Sequence, residues 1–100
     1  MSEFIAFVKR ENVMKADNRL KEDFDVASKQ SITIRDAKTL GIDRDGSFFL
    51  ISGTEEGVEK CKELLKEFIE NVPEQELEKA KEAIKKGEES AAVGMGSIFG

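Results

Sequence analysis

Six residues, Ser47 to Ser52 (SFFLIS), followed without a spacer by Gly53-Thr54 and a long apolar stripe, restrict this chain more than any other feature. A short run dense in Phe, Leu and Ile has the length and composition of a buried strand. Gly53 ends it, the Thr54 hydroxyl can accept from an exposed helical N–H, and Glu55-Glu56 complement the positive end of a helix. Val58, Cys61, Leu64, Leu65, Phe68, Ile69 and Val72 then recur at helical spacing. That pattern predicts one core helix from Thr54 to Val72 with a continuous apolar face. A strand and a helix in direct succession, each with an apolar surface, bury those surfaces most simply as a sheet with the helix laid across it.

The rest of the chain supplies partners for that unit. Glu3 to Lys9 (EFIAFVK) has the length of a first strand. Val13, Ala16, Leu20 and Phe24 are spaced for a short helix over 11–24. Phe24-Asp25-Val26 and Ser31 to Arg35 alternate as strands do on either side of Ser28-Lys29-Gln30, suggesting a hairpin. Leu40-Gly41-Ile42 is the expected neighbour of SFFLIS across the Asp43-Arg44-Asp45-Gly46 turn. Pro73 suits the first turn of a second helix, Leu77, Ala80, Ala83 and Ile84 form its thin apolar stripe, and Gly87 suits its end. The expected fold class is α+β: a three- to four-stranded, mostly antiparallel sheet, a long C-terminal helix on one face and a second, short C-terminal helix. One domain over 1–87 is then followed by a mobile, glycine-containing tail over 88–100.

Composition removes several functions. A chain of 100 residues with 39% apolar content suits one domain, which at this size buries about 60–70% of its unfolded surface without disulfide staples. The single Cys61 agrees, and its place in the apolar stripe suits an inert hydrophobe. With no histidine, imidazole-based triads and His-ligated zinc are excluded. No apolar run reaches membrane-span length and the N-terminal stretch is too short and acidic for a signal peptide, so the expected location is cytoplasmic. The net charge is −5, and no basic cluster offers counterion release, which disfavours nucleic acid. A lysine- and glutamate-rich chain poor in Asn and Gln fits a thermophilic source.

The most chemical segment is Asp36 to Ser47 (DAKTLGIDRDGS). Asp43 and Asp45, two apart on a tight turn that Gly46 closes, can direct carboxylates to one place, as hard cations require. Position twelve from Asp43 is Thr54, so the loop is not an EF-hand. The same residues also satisfy a type I turn with Asp first and Gly fourth. Asp36, Asp17, Glu22, Asp23 and Asp25 are the acids that could complete a site. No nucleophile or second functional group accompanies the carboxylates, so a non-enzymatic domain is expected.

The run from Ile32 to Leu65 resembles a family of small, uncharacterised α+β proteins from methanogenic and related archaea, at least one of which is described as calcium-binding. The match covers about a third of the chain and rests on the order strand, acidic turn, strand, helix. The resemblance implies calcium at the turn, with Asp36, Asp43 and Asp45 as ligands and no other cofactor. A reading from a different class makes the domain an interaction module, binding a protein partner through the 73–99 region with its amphipathic helix and the apolar Met95, Ile98 and Phe99. RNA binding is a further alternative, resting on the strand-to-helix order of small RNA-binding α+β domains, without their basic G-x-x-G motif.

Overall fold

Phe48 to Ile51 are four consecutive buried residues, so the strand that carries them has apolar side chains on both faces and needs cover on both. The fold follows from that requirement. The computed structural model describes residues 2–23 and 29–99, with side chains described to residue 87. Its elements are β1 (Ser2–Lys9), α1 (Arg10–Glu22), β2 (Ser31–Asp36), a 3-10 turn (Ala37–Leu40), β3 (Gly46–Gly53), α2 (Glu55–Leu65), β4 (Ile69–Glu70) and α3 (Glu74–Phe99). The strands form one antiparallel sheet in the order β2-β3-β1-β4. Up to β4, the succession β-α-β-β-α-β in this spatial order is the ferredoxin-like, split βαβ arrangement of an α+β domain.

Strand alternation divides the core into two layers. Phe49 and Ile51 of β3 and Val8 of β1 face inward, where Ala16 and Leu20 of α1 and Val58, Cys61 and Leu65 of α2 cover them. Phe7 of β1 and Phe48 and Leu50 of β3 face outward, beneath Ala80 and Ile84 of α3 and Ala37 and Ile42 of the β2–β3 connection. The Thr54 hydroxyl accepts from Gly57 N at 3.0 Å, capping α2 where the sequence places its start. The Gln30 side-chain carbonyl accepts from Thr54 N at 3.1 Å, tying the entry of β2 to the same helix end.

Three expectations are corrected. Residues 40–42 are not a strand: the Asp36 carboxylate accepts from Lys38 N at 3.0 Å, the Thr39 hydroxyl donates to the Asp36 carbonyl at 2.6 Å, and Gly41 takes a left-handed φ of 77°. This closes a 3-10 turn, and β3 pairs instead with β1 and β2. The helix expected over 54–72 ends at Leu65, where Phe68 N turns back to the Leu65 carbonyl at 2.8 Å. Ile69 and Glu70 then pair with Val8 and Phe7 as a short edge strand. Ile69 packs in the inner layer and Val72 in the outer one, so the chain crosses the sheet rim between them.

The third correction concerns α3, which runs past Gly87 to Phe99. Gly87 is not among the positive-φ glycines and provides no left-handed cap. The 24–26 half of the expected hairpin and Gly100 of the expected mobile tail lie outside the described residues, and over 88–99 the backbone of α3 alone is described.

Two glycines make opposite predictions. A Cβ on Gly46 would sit 2.3 Å from the Val8 carbonyl oxygen and 2.7 Å from the Phe7 ring, whereas one on Gly87 would meet nothing within 4 Å. Gly46→Ala should destabilise by about 1–3 kcal/mol through overpacking against backbone. Gly87→Ala should stabilise by about 0.5–1 kcal/mol through helix propensity. Urea unfolding of the two variants measures both signs.

Candidate functional site

The β1–β3 register places Lys9 opposite Gly46, which brings the start of α1 beside the 43–45 turn. The absence of a side chain on Gly46 permits this approach. Arg10 N donates to the Asp45 carbonyl at 3.2 Å, satisfying one of the free N–H groups of a helix that has no side-chain cap. The Arg10 guanidinium also pairs with the Asp45 carboxylate at 2.7 Å. On the far side, β4 places Glu70 3.1 Å from the Lys9 ammonium. Together these elements surround an open cleft of about 580 Å³ whose lining includes Phe7, Glu11, Asp43, Asp45, Glu70 and Asn71.

Arg44 joins this cleft to α3. Its Nε and Nη2 donate to the two carboxylate oxygens of Glu76 at 2.6 and 2.8 Å, a bidentate pair, while its guanidinium carbon lies 5.9 Å from the centre of the Phe7 ring. Hydrogen bonding to Glu76 raises the Arg44 pKa, and hydrogen bonding from Arg44 holds the Glu76 carboxyl below its ordinary range. The Lys9 pKa is raised chiefly by its hydrogen bond to Glu70. Further along α3, Glu3 meets both Lys81 and Lys85 at 2.9 Å, and hydrogen bonds from Lys85, then Lys81, lower its pKa.

The three sequence-predicted ligands separate. Asp43 and Asp45 line the same cleft; Asp43 is exposed and takes part in no ion pair among the described residues, whereas Asp45 is engaged by Arg10. Asp36 lies in a different groove, with Val13, Met14, Asp17 and Ile34, and its carboxylate caps the 3-10 turn. Among the described residues no three acidic or cysteine side chains are already gathered to hold a metal ion. Glu11, Glu70 and Asn71 are oxygen-bearing residues of the cleft lining that sequence reasoning missed. They come from α1, β4 and the chain after β4, and only the strand register would have revealed them.

Other candidates have structural explanations. Cys61 is in the inner layer, and burial pushes its thiol pKa up, disfavouring a reactive thiolate. Phe7 and Phe48, with ring centroids 5.1 Å apart, are 4% and 0% exposed beneath α3, so they are not an open surface for base stacking. Among the described residues no helix is long and apolar enough to cross a membrane. No family model matches the chain, and no curated protein or solved structure matches it.

The depressed carboxylates fix the sign of a pH effect. Glu3 and Glu76 favour the folded state while ionised, so their contribution is present above about pH 4.5 and is lost as pH falls through their lowered folded values. Glu76→Gln should remove its share, leaving a smaller fall in melting temperature between about pH 5 and pH 3 than in the unsubstituted protein. Thermal unfolding across that range tests the assignment, and identical falls in the two proteins would contradict it.

Proposed function

We propose that this chain is a non-enzymatic binding domain that takes a divalent cation, of calcium type, in the cleft between the 43–45 turn and α1. The observation that supports this reading is that the oxygen-bearing residues Asp43, Asp45, Glu11, Glu70 and Asn71 all line one open cleft, where an ion would have to draw their donors together. Calcium takes six to eight oxygens in flexible geometry, so carboxylates and an amide supplemented by water suit it better than magnesium, which demands a tight octahedron. In the cation-free domain, Arg10 and Lys9 act as tethered counterions for Asp45 and Glu70. A bound ion must displace them, which makes the affinity weak, on the order of 10⁻⁴–10⁻³ M. Asp36 has no part in this site because its carboxylate serves the 3-10 turn in another groove.

A second reading, a protein-interaction module, draws on the length of α3. Its stripe at Leu77, Ala80 and Ile84 is occupied by the domain's own sheet, but the helix continues to Phe99, and the sequence there contains Met95, Ile98 and Phe99. A partner would therefore be engaged by residues after 87 rather than by the stripe at 73–86.

Amide NMR of the labelled protein during calcium titration, with magnesium as control, tests the first reading. The expected result is saturable shifts confined to residues 9–11, 43–46 and 70–71, strongly reduced by Asp43→Asn with Asp45→Asn. Shifts that survive that double substitution, or none at millimolar calcium, would overturn it. Removing 88–100 should leave the calcium shifts unchanged, whereas under the second reading it abolishes partner capture.

A further inference from the structure

β2 is an edge strand: β3 pairs with one side of it, and among the described residues no second strand pairs with the other. Such an edge presents main-chain donors and acceptors that a further strand can meet. Ile32 and Ile34 carry the inner apolar layer out to this edge, where they are only half-buried. Met14 of α1 lies in the same place. It is 75% exposed, the single exposed large hydrophobic among the described residues, and it lines one groove with Val13 and Ile34. The inner core therefore runs out past its cover between α1 and the edge of the sheet. Ile32-Thr33-Ile34 at the middle of the strand also lacks the charges and prolines that blunt an edge. Arg35 donates to the Ile34 carbonyl at 3.0 Å through an exposed side chain, which an incoming strand can displace.

We propose that a second copy of this chain covers this place, its β2 pairing antiparallel with β2 about a two-fold axis at Thr33 and joining the two four-stranded sheets into one. The strand's own sequence selects that partner and register. Opposed residues share a face of the sheet, so only slips of two residues keep isoleucine on the inner side. With the axis at Thr33, Ile32 lies opposite Ile34 of the second copy, Ser31 opposite Arg35, and Gln30 opposite Asp36. Each isoleucine meets an isoleucine and each charge meets a neutral polar residue. A slip one way sets Ile32 opposite Asp36, and a slip the other way sets Ile34 opposite Gln30. In the favoured register Ile32 of the second copy lies about 4.8 Å beyond Ile34 on the inner face, where it covers Met14. Two-fold symmetry makes the same contact twice. This inference is independent of whether the cleft takes a cation.

Sedimentation equilibrium at about 0.15 M salt, where exposed charges are screened beyond about 8 Å, should show a reversible dimer of twice the 11.1 kDa chain mass. Thr33→Lys sets two ammonium groups opposite each other at the axis, and Met14→Glu sets a carboxylate on the seam. Each should raise the dissociation constant at least about tenfold. Met14 is exposed, so Met14→Glu leaves the monomer folded, which circular dichroism checks. Removing 88–100 should leave the dimer intact. A chain that stays at 11.1 kDa up to about 1 mM, a dimer that both substitutions leave unchanged, or one that needs 88–100 would overturn the proposal. Disulfide trapping tests the register, with Cys61 buried and out of reach. Under a mild oxidant Thr33→Cys should link two copies, whereas Arg35→Cys, about 13 Å from its counterpart, should not. Equal linking at the two positions would contradict the axis at Thr33.

Discussion

Phe48, Phe49, Leu50 and Ile51 alternate across the central strand, so no single layer of helices can cover them. Full burial of a phenylalanine ring contributes roughly 1.5–3 kcal/mol, and β3 places one ring on each face. The inner ring is met by α1 and α2, which the βαββαβ order delivers to one side of the sheet. The outer ring needs a further layer. The 3-10 turn folds Ala37 and Ile42 back over part of that face, and α3 covers the rest. The elements beyond the minimal sheet-and-helix unit therefore respond to the second apolar face of one strand.

The same arrangement concentrates charge at the end of the sheet. Gly46 lets the 43–45 turn press against β1, α1 begins immediately after Lys9, and β4 returns beside them. Cationic and acidic side chains from four elements consequently meet around one cleft above the edge of Phe7. Most are already paired, which keeps the cleft electrostatically balanced and means that a ligand there exchanges partners instead of filling a vacant cage. Two short hydrogen bonds join Arg44 of the turn to Glu76 at the start of α3. That connection gives the cleft and the outer layer a shared residue.

The sequence revealed elements whose pattern had one period. EFIAFVK and SFFLIS are apolar enough to read as strands, and Val13, Ala16 and Leu20 mark α1 by helical spacing. The segment 64–72 misled because Leu64, Leu65, Phe68, Ile69 and Val72 fit a helix, although the chain turns after Leu65 and uses Ile69 and Glu70 with strand alternation. Only the unfilled edge of β1 decides between the two, and that is a tertiary fact. Residues 40–42 misled in the same way: Gly41 adopts a positive φ that short-range apolar spacing cannot disclose. Of the site, Asp43 and Asp45 were legible as a paired turn. Glu11, Glu70 and Asn71 were not, because their proximity depends on register and on a two-residue strand.

The central claim is that the sheet has two cores, each required for stability. Urea unfolding of Phe48→Ala and Phe49→Ala tests it most directly, since these neighbouring rings are both fully enclosed but belong to different layers. Both substitutions should destabilise by about 3–5 kcal/mol, as expected for a phenylalanine removed from a packed core. A cost for Phe48→Ala below about 1 kcal/mol, with Phe49→Ala in the core range, would show that the outer layer does not support the fold.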